Sequence, residues 1–180
     1  MNEEKIMKIY FIADTHFNHK NILEYCNRPF ADVEEMNKIL VNNWNDTVKH
    51  DDVVYMLGDF CMGNKREIKK FTEKLNGRKF LVMGNHDRYN MRAYMELGFE
   101  KAYDKPVLFD NFIILSHAPL FLPETMPYAN IFGHVHNDEK FAGITKNSFC
   151  VSVERIEYKP ISYDEIKKRI AQYSKKVEER

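Results

Sequence analysis

Phe80-Leu81-Val82-Met83-Gly84-Asn85-His86-Asp87 passes from a run of apolar residues straight into glycine, amide, imidazole and carboxylate. Four apolar residues in succession fit a short strand covered on both faces. Glycine at its end permits a tight turn, so the polar side chains that follow are delivered at the strand's end. The arrangement recurs along the chain. Ile9-Tyr10-Phe11-Ile12 leads into Asp14-Thr15-His16, and Val53-Val54-Tyr55-Met56-Leu57 leads into Gly58-Asp59. Ile113-Ile114-Leu115 leads into Ser116-His117, and Ile131-Phe132 leads into Gly133-His134-Val135-His136. Five of the seven histidines fall in these motifs, which separates them from the scattered histidines of an ordinary surface. Each motif alone occurs by chance in many chains; their repetition after separate strands does not. Ligands gathered at strand ends build an open polynuclear site, and carboxylate, imidazole and amide oxygen together suit hard-to-borderline divalent cations.

Outward from these motifs, the elements alternate. Residues 6–12 read as a buried strand, and 13–32 as a long loop. Asp32 with Glu35 forms a capping box before a helix whose Val33, Met36, Leu40 and Trp44 hold helical spacing. Trp44 and the other helix aromatics are read as core. Residues 53–57 and 79–83 are strands, and between them Lys65–Leu75 is a helix closed by Asn76-Gly77. A short helix near 90–97 stops at Gly98. Asp110-Asn111 makes a tight hairpin between Val107-Leu108-Phe109 and Phe112–Leu115. A proline-spaced loop covers 118–130, a late strand 149–153, and Ser162 with Glu165 caps a final helix. Strands clustering after an alternating first half predict sheets covered by helices on their outer faces, an α/β class. The chain, residues 1–180, is expected to form one domain.

Composition narrows the function. Net charge is zero, so no overall field draws the chain to nucleic acid or to an anionic membrane. Nucleic acid enters only as a substrate at a locally positive site. The basic stretch Lys65–Lys79 is interrupted by glutamates and reads as a solvated helix face. Cys26, Cys61 and Cys150 are few, odd in number and without a CxxC pair, which fits a reducing compartment. The charged start Met1-Asn2-Glu3-Glu4-Lys5 lacks the apolar core of a signal peptide, and no apolar run is long enough for a bilayer. The expectation is a cytoplasmic protein with no membrane partner; the sequence leaves its oligomeric state open.

Taken together and in this order, from Asp14 to His136, the motifs resemble those of the calcineurin-like metallophosphoesterase superfamily. The resemblance implies a four-layer αββα sandwich, two mixed sheets between helices, with a dinuclear site at the strand ends. It implies that Asp14, His16 and His136 hold one metal, that Asn85, His117 and His134 hold the other, and that Asp59 bridges them. The spacing agrees with this. An extended loop aims Asp14 and His16 to one side, and likewise His134 and His136. His86 would stand beside the leaving group as general acid or phosphate stabiliser, with Asp87 fixing its loop. Two divalent ions are implied; manganese, iron, nickel and zinc all suit these donors. His50, between Lys49 and Asp51, is left as a surface residue.

The protein-phosphatase members extend Gly-Asp with a second aspartate and an arginine that clamps phosphate. Here Met62 and Gly63 stand at those positions. Without that clamp, a singly charged diester is expected to be preferred over a monoester. The loop from Asp14 to Ile22, with Asn27-Arg28-Pro29-Phe30, resembles a small bacterial and phage-type subgroup. It makes His19 and Arg28 candidates for substrate contact, with a surface role for His19 and a loop-pinning salt bridge for Arg28 as the alternatives. The leading expectation is a metal-dependent phosphoesterase acting on a phosphate ester. A non-enzymatic scaffold on the same fold and a nuclease acting on nucleic-acid ends are the competing readings.

Overall fold

The computed structural model describes residues 6–123 and 125–178, so the charged run at residues 1–5 lies outside it. Two five-stranded mixed sheets form the centre. In the first, β1 (Ile9–Ile12), β2 (Val53–Met56), β3 (Arg78–Val82) and β4 (Lys101–Tyr103) are parallel neighbours in that order. The antiparallel β10 (Ile161–Ser162) pairs with the free side of β1. In the second, β6 (Ile113–Leu115), β7 (Ala129–Phe132) and β9 (Ser148–Cys150) are parallel. They are flanked by antiparallel β5 (Val107–Phe109) and β8 (Ile144–Thr145).

In the first sheet the crossovers carry helices, the usual connection between parallel strands. They are α1 (Ile22–Tyr25) and α2 (Val33–Thr47) after β1, α3 (Lys65–Thr72) after β2, and α4 (Met91–Glu96) after β3. The last helix, α5 (Tyr163–Glu178), packs on β1, β8, β9 and β10. Helices thus flank two mixed sheets, the layering the sequence leads one to expect.

Local chemistry accounts for the boundaries. Asp32 caps α2 by accepting from Glu35 N–H at 2.8 Å, and Glu35 returns the bond to Ala31 N–H at 2.6 Å. Met36, Leu40 and Trp44 form its buried stripe, and the indole N–H reaches Asn76 O at 3.0 Å. Asp110 and Asn111 both take positive φ, 48° and 59°, as the tight turn joining β5 to β6 demands. Lys79 departs from the solvated reading of its stretch. It is buried, and its ammonium donates to Leu75 O and Gly77 O at 2.7 and 2.8 Å.

The sheets pack through aromatic contacts. Phe11 of β1 meets Phe109 of β5 edge-on at 5.5 Å, and Tyr55 of β2 meets the same ring at 5.3 Å. They also join directly where β1 ends, since Ala13 N–H donates to Val151 O at 2.8 Å and Val153 N–H to Ala13 O at 3.1 Å. That seam brings the carboxyl ends of both parallel strand sets to one place.

Candidate metal centre

Strand ends supply every group. Asp14 and His16 follow β1, Asp59 follows β2, Asn85 and His86 follow β3, His117 follows β6, and His134 and His136 follow β7. Asp14, His16, Asp59, His134 and His136 all have positive φ, between 45° and 71°. Asp and His tolerate this region better than most residues, yet each such position costs free energy that packing must offset. Clustered strain of this kind marks a place where side-chain direction matters more than backbone comfort. Gly84 shows the same crowding: a Cβ there would run into the Asp59 carboxylate and lie 2.7 Å from Asp59 N.

The side chains form two groups, each with ligand atoms within 4.8 Å of one another. One is Asp14, His16 and His136; the other is Asp59, His117 and His134. Asn85 joins the second, its Oδ1 2.9 Å from His117 Nε2. Asp59 stands between the groups, with Oδ2 3.5 Å from His16 Nε2 and 3.4 Å from His117 Nε2.

Surrounding contacts aim these atoms. Asp14 Oδ2 accepts from His134 N–H at 2.8 Å and from Ser152 Oγ at 2.7 Å, so Oδ1 is the oxygen left over. His117 Nδ1 lies 2.8 Å from Leu57 O, which only accepts; Nδ1 therefore carries the proton and Nε2 faces the group. His136 Nδ1 lies 3.0 Å from Glu154 Oε1, which turns its Nε2 in the same way. Asp87 holds the turn by accepting from the N–H groups of Asp59 and Gly84, both at 2.8 Å, and of Phe60 at 3.2 Å. That is the loop-fixing place read for it in the sequence.

Charge is traded across the cluster. Burial pushes Asp14 up to about 6. Burial lowers His16 to about 2 against the nearby Asp59 charge. Burial opposes ionisation of Asp59, yet its hydrogen bond and charge interaction with His117 bring it to about 2. His117 and His136 are raised to about 9 and about 10: burial opposes this, but Asp59 and Asp14 hold the charged form of His117, and Cys26 with the Glu154 and Asp14 carboxylates that of His136. Among the described residues three buried side-chain atoms have no hydrogen-bond partner: Asp14 Oδ1 and His16 Nε2 in the first group, and Glu154 Oε2 behind His136. Buried orphans of this kind are costly unless something completes them. Oxygen and imidazole donors aimed at common points fit divalent cations.

Beside both groups lies a cavity of about 900 Å³, lined by His16, His19, Asp59, Asn85, His86, His134 and His136 among others. His86 reaches its wall, and the His86 N–H donates to Asp59 Oδ1 at 2.8 Å. His19 is half-buried on the wall, with Nδ1 3.1 Å from His16 Nδ1. Arg28 is elsewhere. Its guanidinium is buried behind the Asp14 loop, donating to Asp14 O at 2.7 Å, Thr15 O at 3.0 Å and Glu154 Oε1 at 2.9 Å. The substrate-contact reading of Arg28 therefore gives way to the pinning one, because its donors are spent inside the fold. Sequence reasoning missed Glu154 and Ser152. The available signal is the one used elsewhere, polar residues after a strand, but the sequence carries the last strand through to residue 153, whereas β9 stops at Cys150 and Glu154 falls in the turn that follows.

The calcineurin-like phosphoesterase family profile matches residues 7–158. An uncharacterized protein of Methanocaldococcus jannaschii is 41% identical over 176 residues, 91% of each chain. The Gene 66 protein of Mycobacterium phage L5 is 38% identical over 81 residues, 43% of this chain and 39% of the phage protein. Among solved structures, a protein of unknown function from Aquifex aeolicus has a TM-score of 0.69 at 34% identity, over 91% of this chain and 99% of that one. A Pseudomonas putida nuclease shares the fold, with a TM-score of 0.50 at 19% identity, over 71% of this chain and 61% of that one. With its motifs at the strand ends of two mixed sheets, the chain belongs to the calcineurin-like phosphoesterase family.

Proposed function

We propose that this metal-dependent phosphoesterase works with two divalent cations and prefers phosphodiesters to monoesters. The observation that carries the first part is the pair of ligand groups with Asp59 between them. Asp14, His16 and His136 would hold one cation; Asn85, His117 and His134 the other; Asp59 would serve both. When bound, the cations supply an activated nucleophile from water and neutralise charge on phosphoryl oxygens. The chain's own groups do the rest. His86, on the cavity wall, would hold a proton for the leaving oxygen. Asp87 would keep Asp59 and Gly84 in register through their N–H groups, and Glu154 would keep His136 aimed.

Diester preference follows from what lines the cavity. No lysine or arginine does so among the described residues, and Arg28 is committed elsewhere. A monoester brings close to two charges and three terminal oxygens that want cationic donors; a diester brings one charge and two such oxygens. The test is kcat/KM for bis-p-nitrophenyl phosphate against p-nitrophenyl phosphate at one pH, with manganese, nickel, iron and zinc compared. We expect the diester to be favoured at least tenfold; a monoester preference contradicts the reading. The neighbouring nuclease favours a second reading, in which the diester is a nucleic-acid linkage.

A further inference from the structure

The cavity carries two large aromatic side chains that packing does not explain. Tyr25, at the end of α1, is 71% exposed, and Phe141 is 45% exposed. Both line the wall that also holds the metal-ligand candidates. Each stands on a braced segment. Ile22 buries its side chain beneath α1, and the Tyr25 ring sits edge-on to His19 at 6.2 Å. Arg155 staples the other segment, with Nη2 donating to Asp138 O at 2.8 Å and to Phe141 O at 3.1 Å, and Nε donating to His136 O. The staple thus holds Phe141 and His136 in one unit. The two segments are tied to each other, since Asn137 Nδ2 donates to Cys26 O at 2.9 Å. By contrast Phe121, 94% exposed, is not on the cavity wall.

Single exposed aromatics need no account, but two held at the mouth of a reaction cavity do. Flat rings with little rotamer entropy are stacking platforms, and every nucleobase offers a π-face to them. Ile22, Ala118, Pro119 and Val135 add apolar wall, Asn137 and Asp138 add polar wall, and no basic side chain is among the residues that line it. A polynucleotide held by its backbone needs a basic track, because phosphate contacts supply most of that affinity. A cavity of about 900 Å³ is sized for a molecule of one or two nucleotides.

Building on the phosphodiesterase reading, we infer that Tyr25 and Phe141 form a base-stacking subsite and that the substrate is a short nucleoside-bearing phosphodiester. Base and ribose would be held by the rings and the apolar wall, leaving the phosphodiester at the metal groups.

Two esters test this with the metal-loaded protein: thymidine 5′-(p-nitrophenyl phosphate) and methyl p-nitrophenyl phosphate. They share leaving group and charge and differ only in the group kept on phosphorus. The wild type should favour the thymidylyl ester in kcat/KM. Tyr25→Ala and Phe141→Ala should each lower that preference by about 5- to 20-fold, the lower part of the range for base stacking on an aromatic ring. Tyr25→Phe should retain it. A second arm compares thymidylyl-thymidine with a long oligothymidylate, and we expect no advantage per bond for the polymer. Equal use of the two esters by the wild type, or an unchanged preference in both alanine variants, overturns the subsite. A polymer preference above tenfold overturns the short substrate. If neither ester is cleaved, the phosphodiesterase reading fails by itself. Calorimetric binding of the methyl ester of thymidine 5′-phosphate to wild type and Tyr25→Ala then decides the subsite: equal affinity overturns it, and weaker binding to the variant supports it.

Discussion

Glu154 shows how one residue with a buried side chain can govern a site it does not line. Its Oε1 accepts from Arg28 Nη2 at 2.7 Å and faces His136 Nδ1 at 3.0 Å, while Arg28 reaches the carbonyls of Asp14 and Thr15. Burial opposes its charge, yet His136 and Arg28 hold it down to about 2. The pair therefore braces the loop after β1 against the loop after β7, and points His136 Nε2 toward Asp14. Outer partners of this kind typically affect metal affinity about 10- to 100-fold. Glu154→Gln is expected to weaken metal binding by that factor in calorimetric titration. It should also lower the free energy of unfolding by about 3 kcal/mol in denaturant titration, because Arg28 stays buried without its carboxylate. Unchanged affinity in a folded variant would remove Glu154 from the site. The sequence made Arg28 conspicuous but could not show its partner, which lies 126 positions away. The ligand candidates were legible because each sits beside a strand-ending signal; Glu154 follows a strand whose end was misplaced.

At the scale of elements, the turn after β3 is the most constrained. Gly84 closes against Asp59, and Asp87 accepts from the N–H groups of both. A methyl group at residue 84 has nowhere to go. Gly84→Ala is expected to cost about 1–3 kcal/mol of stability, as overpacking does, and to lower activity further by displacing Asp59. Thermal unfolding compared with turnover checks this; a stable, fully active variant would contradict the crowding. Long or sharply capped elements were legible. The α2 helix carries its capping box and apolar stripe, and the β5–β6 hairpin its Asp110-Asn111 turn. The four-residue α1, the three-residue β4 and the two-residue β10 were not, because elements so short have no periodicity to detect. Their existence is decided by the partners they pair with or pack on.

Across the whole molecule, the first sheet supplies Asp14, His16, Asp59 and Asn85, and the second supplies His117, His134 and His136. Neither holds a complete ligand group alone, so the seam where Ala13 pairs with Val151 and Val153 is what assembles the site. Alternation of strands and helices made the class legible, and the motifs made the family legible. Strand order was not, since pairings such as β10 with β1 join residues about 150 positions apart and leave no local trace. A ligand shared between sheets should link metal content to Asp59 in particular. The most direct measurement is therefore elemental analysis of protein reconstituted with excess manganese and freed of unbound metal, for wild type and Asp59→Asn. The wild type is expected to hold close to two metals per chain and the variant, which lacks the shared negative charge, clearly fewer. A wild-type value that never exceeds one under saturating metal would contradict this.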